Sequence, residues 1–154
     1  QWSCPALTSA STSAFFLGAH GNSGNFSFLD GHAAAINSPG QFADYIAAGA
    51  CGIVQADVAR VGGITPWLKV AHMAEAHNLH ICPHFLMEIH VSLVCAVPNA
   101  PWLEYIPQLD DIAAPMAREG GFALAPTAPG IGIDWDEGAL KARVSEGSRF
   151  EVTA

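Results

Sequence analysis

The chain has 154 residues, of which 51% are hydrophobic and 13% charged, and its formal net charge is −8. That length suits one ordinary domain, and the apolar content supplies a core and argues against global disorder. An acidic balance with no basic patch excludes nucleic acid as the expected partner, because phosphate binding needs clustered Lys and Arg. No apolar run approaches the ~18 residues of a membrane span, so no membrane partner is expected.

The first residue is Gln1 and the opening stretch lacks the basic-then-apolar order of a signal peptide, so a fragment or a processed chain is expected. Cys4, Cys51, Cys82 and Cys95 are scattered without CxxC spacing. They read as reduced core thiols in a cytoplasmic setting, not as a zinc or redox pair.

Residues 1–17 are rich in Ser, Thr and Ala, show no helical or strand period, and read as a poorly specified terminus. Residues 25–36 place Asp30-Gly31 between two strand-like runs, a hairpin signal. His20, followed by nine residues and then Asp30-Gly31, resembles the H-X9-DG motif of bacterial prepilin-like proteins. That resemblance covers residues 20–36 and implies a structural, pilin-like module; a plain hairpin explains the same residues without it. The expected division is 1–36 as this terminus and 37–154 as the main segment.

From Ser38 the text becomes helical. Ser38 is an N-cap, Pro39 suits the first turn, Phe42, Tyr45 and Ile46 share a face, and Gly49 closes the segment. Three short apolar runs follow, each carrying a polar residue at or near its end: residues 52–57 with Asp57, residues 80–84 with His84, and residues 101–105 with Glu104. Helix-length segments separate them, which predicts parallel strands in βαβ units. In such sheets chemistry collects at the carboxyl ends of the strands, so Asp57, His84 and Glu104 form the candidate site.

Between the first two runs, Gly62-Gly63 fits a tight turn and lacks the spacing of a phosphate-cradling loop, while Thr65 and Pro66 are expected as N-cap and first helical residue. The helix from Pro66 to about His77 puts Trp67, Val70, Ala71 and Ala74 on one face. Residues 85–97 predict a second, almost wholly apolar and buried helix. Beyond the third run, residues 121–125 suggest a short strand, residues 128–135 an extended arm and residues 136–144 a terminal helix.

Each singled-out residue also has a plainer reading. His84 fits a satisfied core histidine as well as a proton-transfer group, and its place at a strand end beside Asp57 favours the latter. Cys82 and His84 lie about 7 Å apart at strand rise, too far for a Cys–His nucleophile. A metal held by His80, Cys82, His84 and Glu88 requires the loop to fold back and is disfavoured. Lys69, His72, Glu75 and His77 read as solvated helix residues, and Trp67 and Trp102 as packing groups.

With these residues assembled, residues 38–144 resemble the C-terminal part of the mandelate racemase group of the enolase superfamily. The resemblance rests on residues 53–65 (IVQADVARVGGIT), Cys82-Pro83-His84 and residues 97–105 (VPNAPWLEY), in that order. Residues 85–90 (FLMEIH) point within the group to sugar-acid dehydratases. What the resemblance implies is an α/β fold, a C-terminal sector of a (β/α)8 barrel, acting on an α-hydroxy acid or sugar acid. It implies abstraction of the proton next to a carboxylate, with Mg²⁺ holding the enediolate. It implies His84 as general base or acid, Asp57 as its partner on the preceding strand, and Glu104 hydrogen-bonded to the substrate carboxylate and enediolate oxygen.

The sequence departs from that pattern. The family's last magnesium ligand aligns near Ala33-Ala34, so no metal ligand is expected here, and a full barrel needs at least ~200 residues where roughly 105 match. The expectation is a segment of a Mg-dependent dehydratase or racemase, inactive alone, forming oligomers or completed by another chain.

Overall fold

The computed structural model describes residues 3–7, 25–27 and 33–144. In chain order the elements are β1 (Ser3–Leu7), β2 (Asn25–Ser27), β3 (Ala33–Ala35), α1 (Pro39–Ala47), β4 (Ile53–Val54) and α2 (Ile64–Ala76). They continue with β5 (His80–Ile81), α3 (Met87–Cys95), β6 (Leu103–Glu104), β7 (Arg118–Glu119), β8 (Phe122–Leu124) and α4 (Glu137–Arg143).

Helix α1 starts where its cap dictates. The Ser38 hydroxyl accepts the Gln41 N–H at 3.3 Å, satisfying an orphan donor of the first turn, and the Gln41 side chain accepts the N–H of Asn37, just ahead of the cap, at 2.9 Å. Phe42 and Ile46, one turn apart, are buried. Gly49 ends the helix in a left-handed backbone (φ 64°), with its N–H on the Ile46 carbonyl.

The strand-like run 52–57 contains β4, which pairs in parallel with β5, Ile53 opposite His80 and Val54 opposite Ile81. The register continues past the regular strands: the Cys82 N–H donates to the Val54 carbonyl at 2.8 Å and the His84 N–H to the Ala56 carbonyl at 3.2 Å. Alternation then decides which residues enter the core. Val54, Ala56 and Ile81 are fully buried, whereas Ile53 is 45% exposed on the opposite face.

Helix α2 packs against both α1 and β5. Its Trp67, Val70, Ala71 and Ala74 are buried on the expected face. The N-cap is Gly63, two residues before the expected Thr65, because Gly63 adopts φ 115° and its carbonyl receives the Trp67 N–H. Pro66 is tolerated in the first turn, where an N–H has no helical partner. Asn78, at φ 57°, lets the chain leave the helix, and the Leu79 N–H closes it on the Ala74 carbonyl. Lys69, His72, Glu75 and His77 are exposed.

Two expectations are corrected here. The three parallel strands do not form one ladder: β6 pairs in parallel with β1, which in turn pairs antiparallel with β8. Pro83 and Pro101 have no N–H to give between β5 and β6; the Ile81 N–H goes instead to the Asn99 carbonyl at 3.0 Å. Residues 1–17, read as unspecified, contain strand β1. A third, smaller difference is at α3, which begins at Met87 and not at Phe85, because Phe85 and Leu86 take positive φ values of 64° and 35°.

The expected hairpin strands are present, β2 pairing antiparallel with β3, while its Asp30-Gly31 turn lies outside the described residues. Strand β8 and helix α4, capped by Asp136 on the Ala139 N–H at 2.9 Å, match the expected C-terminal elements. Trp102 is 43% exposed, not packed, while its neighbour Leu103 is fully buried on the other face. Cys51 and Cys82 are thiols outside any disulfide. Among the described residues no helix is long and apolar enough to cross a membrane.

Candidate active site

Strand alternation brings the ends of the first two runs together. Asp57 stands three residues beyond the end of β4 and is only 3% exposed. Its Oδ1 accepts the Ala59 N–H at 2.8 Å and the Arg60 N–H at 3.4 Å, a local turn typical of Asp. Its Oδ2 faces Arg60 Nε at 3.3 Å and His84 Nδ1 at 3.2 Å. Burial alone would raise the carboxyl pKa, but the His84 contact and the two backbone donors outweigh it and hold Asp57 below the usual carboxylate value. An ionised Asp57 can only accept, so His84 carries its proton on Nδ1, leaving Nε2 for exchange with a ligand. The His84 side chain is 26% exposed and lies over the Phe85 ring, 5.8 Å between centroids.

Glu104, at the end of β6, reaches the same place. Its Oε2 accepts the Phe85 N–H at 2.7 Å, next to His84, which leaves Oε1 as the atom able to face a ligand. All three expected residues therefore meet at or beside the His84–Phe85 peptide. The Cys82 thiol is pushed up to about 11, chiefly by burial, with the Trp102 backbone N–H acting against it. Such a thiol is inert, which agrees with the rejection of a Cys–His nucleophile.

Sequence reasoning missed two participants. Arg60 adds a guanidinium to Asp57 beside the His84 ring, three residues along the same loop. His90 is fully buried. Its Nε2 accepts the Val58 N–H at 3.1 Å and its Nδ1 lies 2.6 Å from the Phe85 carbonyl. Its visible signal was modest: a polar residue in the stripe of Met87, Val91 and Val94, which face the core.

The implied magnesium can be tested against these donors. Among the described residues no group of three or more His, Cys, Asp or Glu converges to hold a metal. Asp57 is occupied by His84 and Arg60, and Glu104 by a backbone donor. The described residues do not fit the ion, and no step below is routed through it.

Comparisons with known proteins agree with this architecture. Residues 34–139 match the family model described as enolase C-terminal domain-like. The chain is 46% identical over 59 residues to L-talarate/galactarate dehydratase of Salmonella typhimurium, covering 38% of this chain and 15% of that protein. It is 30% identical over 123 residues to D-galactonate dehydratase of Ralstonia nicotianae, covering 67% and 31%. The crystal structure of L-talarate dehydratase from Polaromonas sp. JS666 complexed with Mg and L-glucarate superposes with a TM-score of 0.64 at 36% identity, over 69% of this chain and 30% of that one. An enolase from Bradyrhizobium complexed with magnesium and mandelic acid gives 0.63 at 35% identity, over 68% and 29%. The chain thus spans about a third or less of the curated relatives it matches. The pilin-like resemblance gains no support: the family match starts at residue 34, and His20, Asp30 and Gly31 lie outside the described residues. Parallel β4 and β5, an Asp–His contact at their ends, and a match over residues 34–139 together mean that this chain belongs to the enolase C-terminal domain-like family, on the mandelate racemase-like side of the enolase superfamily.

Proposed function

We propose that residues 37–154 are the C-terminal proton-transfer segment of a sugar-acid dehydratase or racemase, with residues 1–36 an N-terminal extension whose strand β1 pairs with β6 and β8. The observation that carries the reading is the 3.2 Å contact between His84 Nδ1 and Asp57 Oδ2 at the ends of two parallel strands. Asp57 fixes the tautomer that leaves Nε2 as the base, and its charge stabilises the imidazolium formed when Nε2 takes the proton α to the substrate carboxylate. Glu104 Oε1 is the group for the substrate carboxylate and enediolate oxygen. The positive charge an enediolate needs would have to come from outside the described residues, which gather no metal site; the crystallised relatives named above contain magnesium.

The substrate class is a small carboxylate or sugar acid, by analogy with the dehydratases matched, and the setting is cytoplasmic. The segment alone does not turn over, because its described residues do not gather the carboxylates that hold the ion. Activity belongs to an assembly with a chain carrying the remaining barrel strands. Exposed Ile53 and Trp102 support such a partner.

The test is exchange of the α-proton of galactarate or mandelate in D₂O with excess Mg²⁺, for the chain and for His84→Asn. The expected result is no exchange by the chain alone. Exchange that vanishes in His84→Asn would overturn the inactivity and keep the role of His84. In the assembly with the missing strands, exchange that survives His84→Asn would overturn that role.

A further inference from the structure

We propose that His90 is the positioning residue that sets the Asp57–His84 pair, by tying the backbone immediately after each of them to one imidazole. This rests on the reading of Asp57 and His84 as the proton-transfer pair.

The Val58 N–H, one residue after Asp57, donates to His90 Nε2 at 3.1 Å. A nitrogen that accepts carries no proton, so in the neutral ring the proton sits on Nδ1, which donates to the Phe85 carbonyl at 2.6 Å. Phe85 follows His84. One ring thus ties together the residues that follow Asp57 and His84, whose own side chains meet at 3.2 Å.

The tie also answers a local problem. Phe85 and Leu86 both hold positive φ, a backbone that non-glycine residues rarely adopt unless the surroundings over-determine it. His90 on the Phe85 carbonyl and Glu104 on the Phe85 N–H grip both ends of that residue. His90 is itself immobilised: it is fully buried in α3 and lies 5.9 Å from the Trp67 ring, whose Nε1 donates to the Ala56 carbonyl at 3.1 Å. Neighbouring charges are Asp57, which favours protonation, and His84, which opposes it; burial dominates both and pushes the His90 pKa down to about 4, so the ring stays neutral where the pair would work.

The test uses the full chain and needs no turnover. In the unmodified chain, nitrogen NMR is expected to show coupling across the Val58 N–H···Nε2 hydrogen bond and a proton on His90 Nδ1. Absence of that coupling in the folded chain overturns the proposal. In His90→Leu, the carboxyl carbon of Asp57 is expected to titrate at higher pH and the His84 ring to lose its fixed Nδ1–H form, with backbone amide signals elsewhere unchanged. His90→Gln, whose amide both accepts and donates, is expected to restore both signals at least in part. Should His90→Leu fail to fold, the coupling and His90→Gln decide. Unchanged Asp57 and His84 signals in a folded His90→Leu overturn the proposal. A failed α-proton exchange with these signals as expected would sink the function and leave the positioning role standing.

Discussion

Acidification is the perturbation for which the structure gives the clearest sign and size. His90 is fully buried and neutral, and burial depresses it from the ordinary 6.5 to about 4. Between those values the unfolded chain binds a proton at this residue that the folded chain refuses, so stability rises with pH across that window. The contribution is fully present above about pH 6.5 and is lost as pH falls through about 4; at ~1.4 kcal/mol per tenfold change in proton affinity it amounts to about 3 kcal/mol. Two other groups bracket the window. Glu88, raised chiefly by burial, has the opposite sign, its contribution fading as pH rises above the ordinary carboxylate range. Asp57, held low, loses its contribution only below that range. Urea unfolding from pH 7.5 to 4 is therefore expected to show a steep loss of stability toward the acid end in the parent chain and a much flatter profile in His90→Gln. Equal slopes in the two proteins would refute the reasoning.

Trp67→Phe keeps most of the buried ring and removes the Nε1 bond to the Ala56 carbonyl, which retains the His84 N–H, and should cost about 0.5–1.5 kcal/mol in urea unfolding. Asn78→Gly should stabilise by a few tenths of a kcal/mol, because φ 57° suits glycine at no steric cost, and Asn78→Ala should destabilise by about 1 kcal/mol. The chain should self-associate through the face bearing Ile53 and Trp102, and the pair Ile53→Lys and Trp102→Lys should lower its light-scattering mass; a clean monomer of the parent at high concentration would contradict this.

Much of the fold was legible because local signals agreed with tertiary ones. Ser38-Pro39 and Gly49 mark the ends of α1, the period of Trp67, Val70, Ala71 and Ala74 gives the buried face of α2, and alternation around Val54 separates core from rim. The meeting of Asp57, His84 and Glu104 was legible because each stands near the carboxyl end of a strand-like run. What failed depended on long-range pairing. Nothing local in Ser3–Leu7 announces a strand, since its stability comes from β6 and β8. The start of α3 was misplaced because Phe85 and Leu86 hold a left-handed backbone that composition disfavours and that contacts from Glu104 and His90 maintain. His90 itself was passed over because a histidine amid apolar residues shows its two bonds, to segments 32 and 5 residues away, only in three dimensions.

The central claim is that this segment by itself sets Asp57 against His84. Its most direct test is the nitrogen NMR spectrum of the histidine-labelled chain at neutral pH, recorded beside Asp57→Asn. An amide at position 57 would turn a donor toward Nδ1 and force the ring to accept there. His84 is expected to carry its proton on Nδ1 in the parent and to shift it to Nε2 in Asp57→Asn. A His84 spectrum that shows rapid exchange between tautomers in the parent and does not change in Asp57→Asn would contradict it.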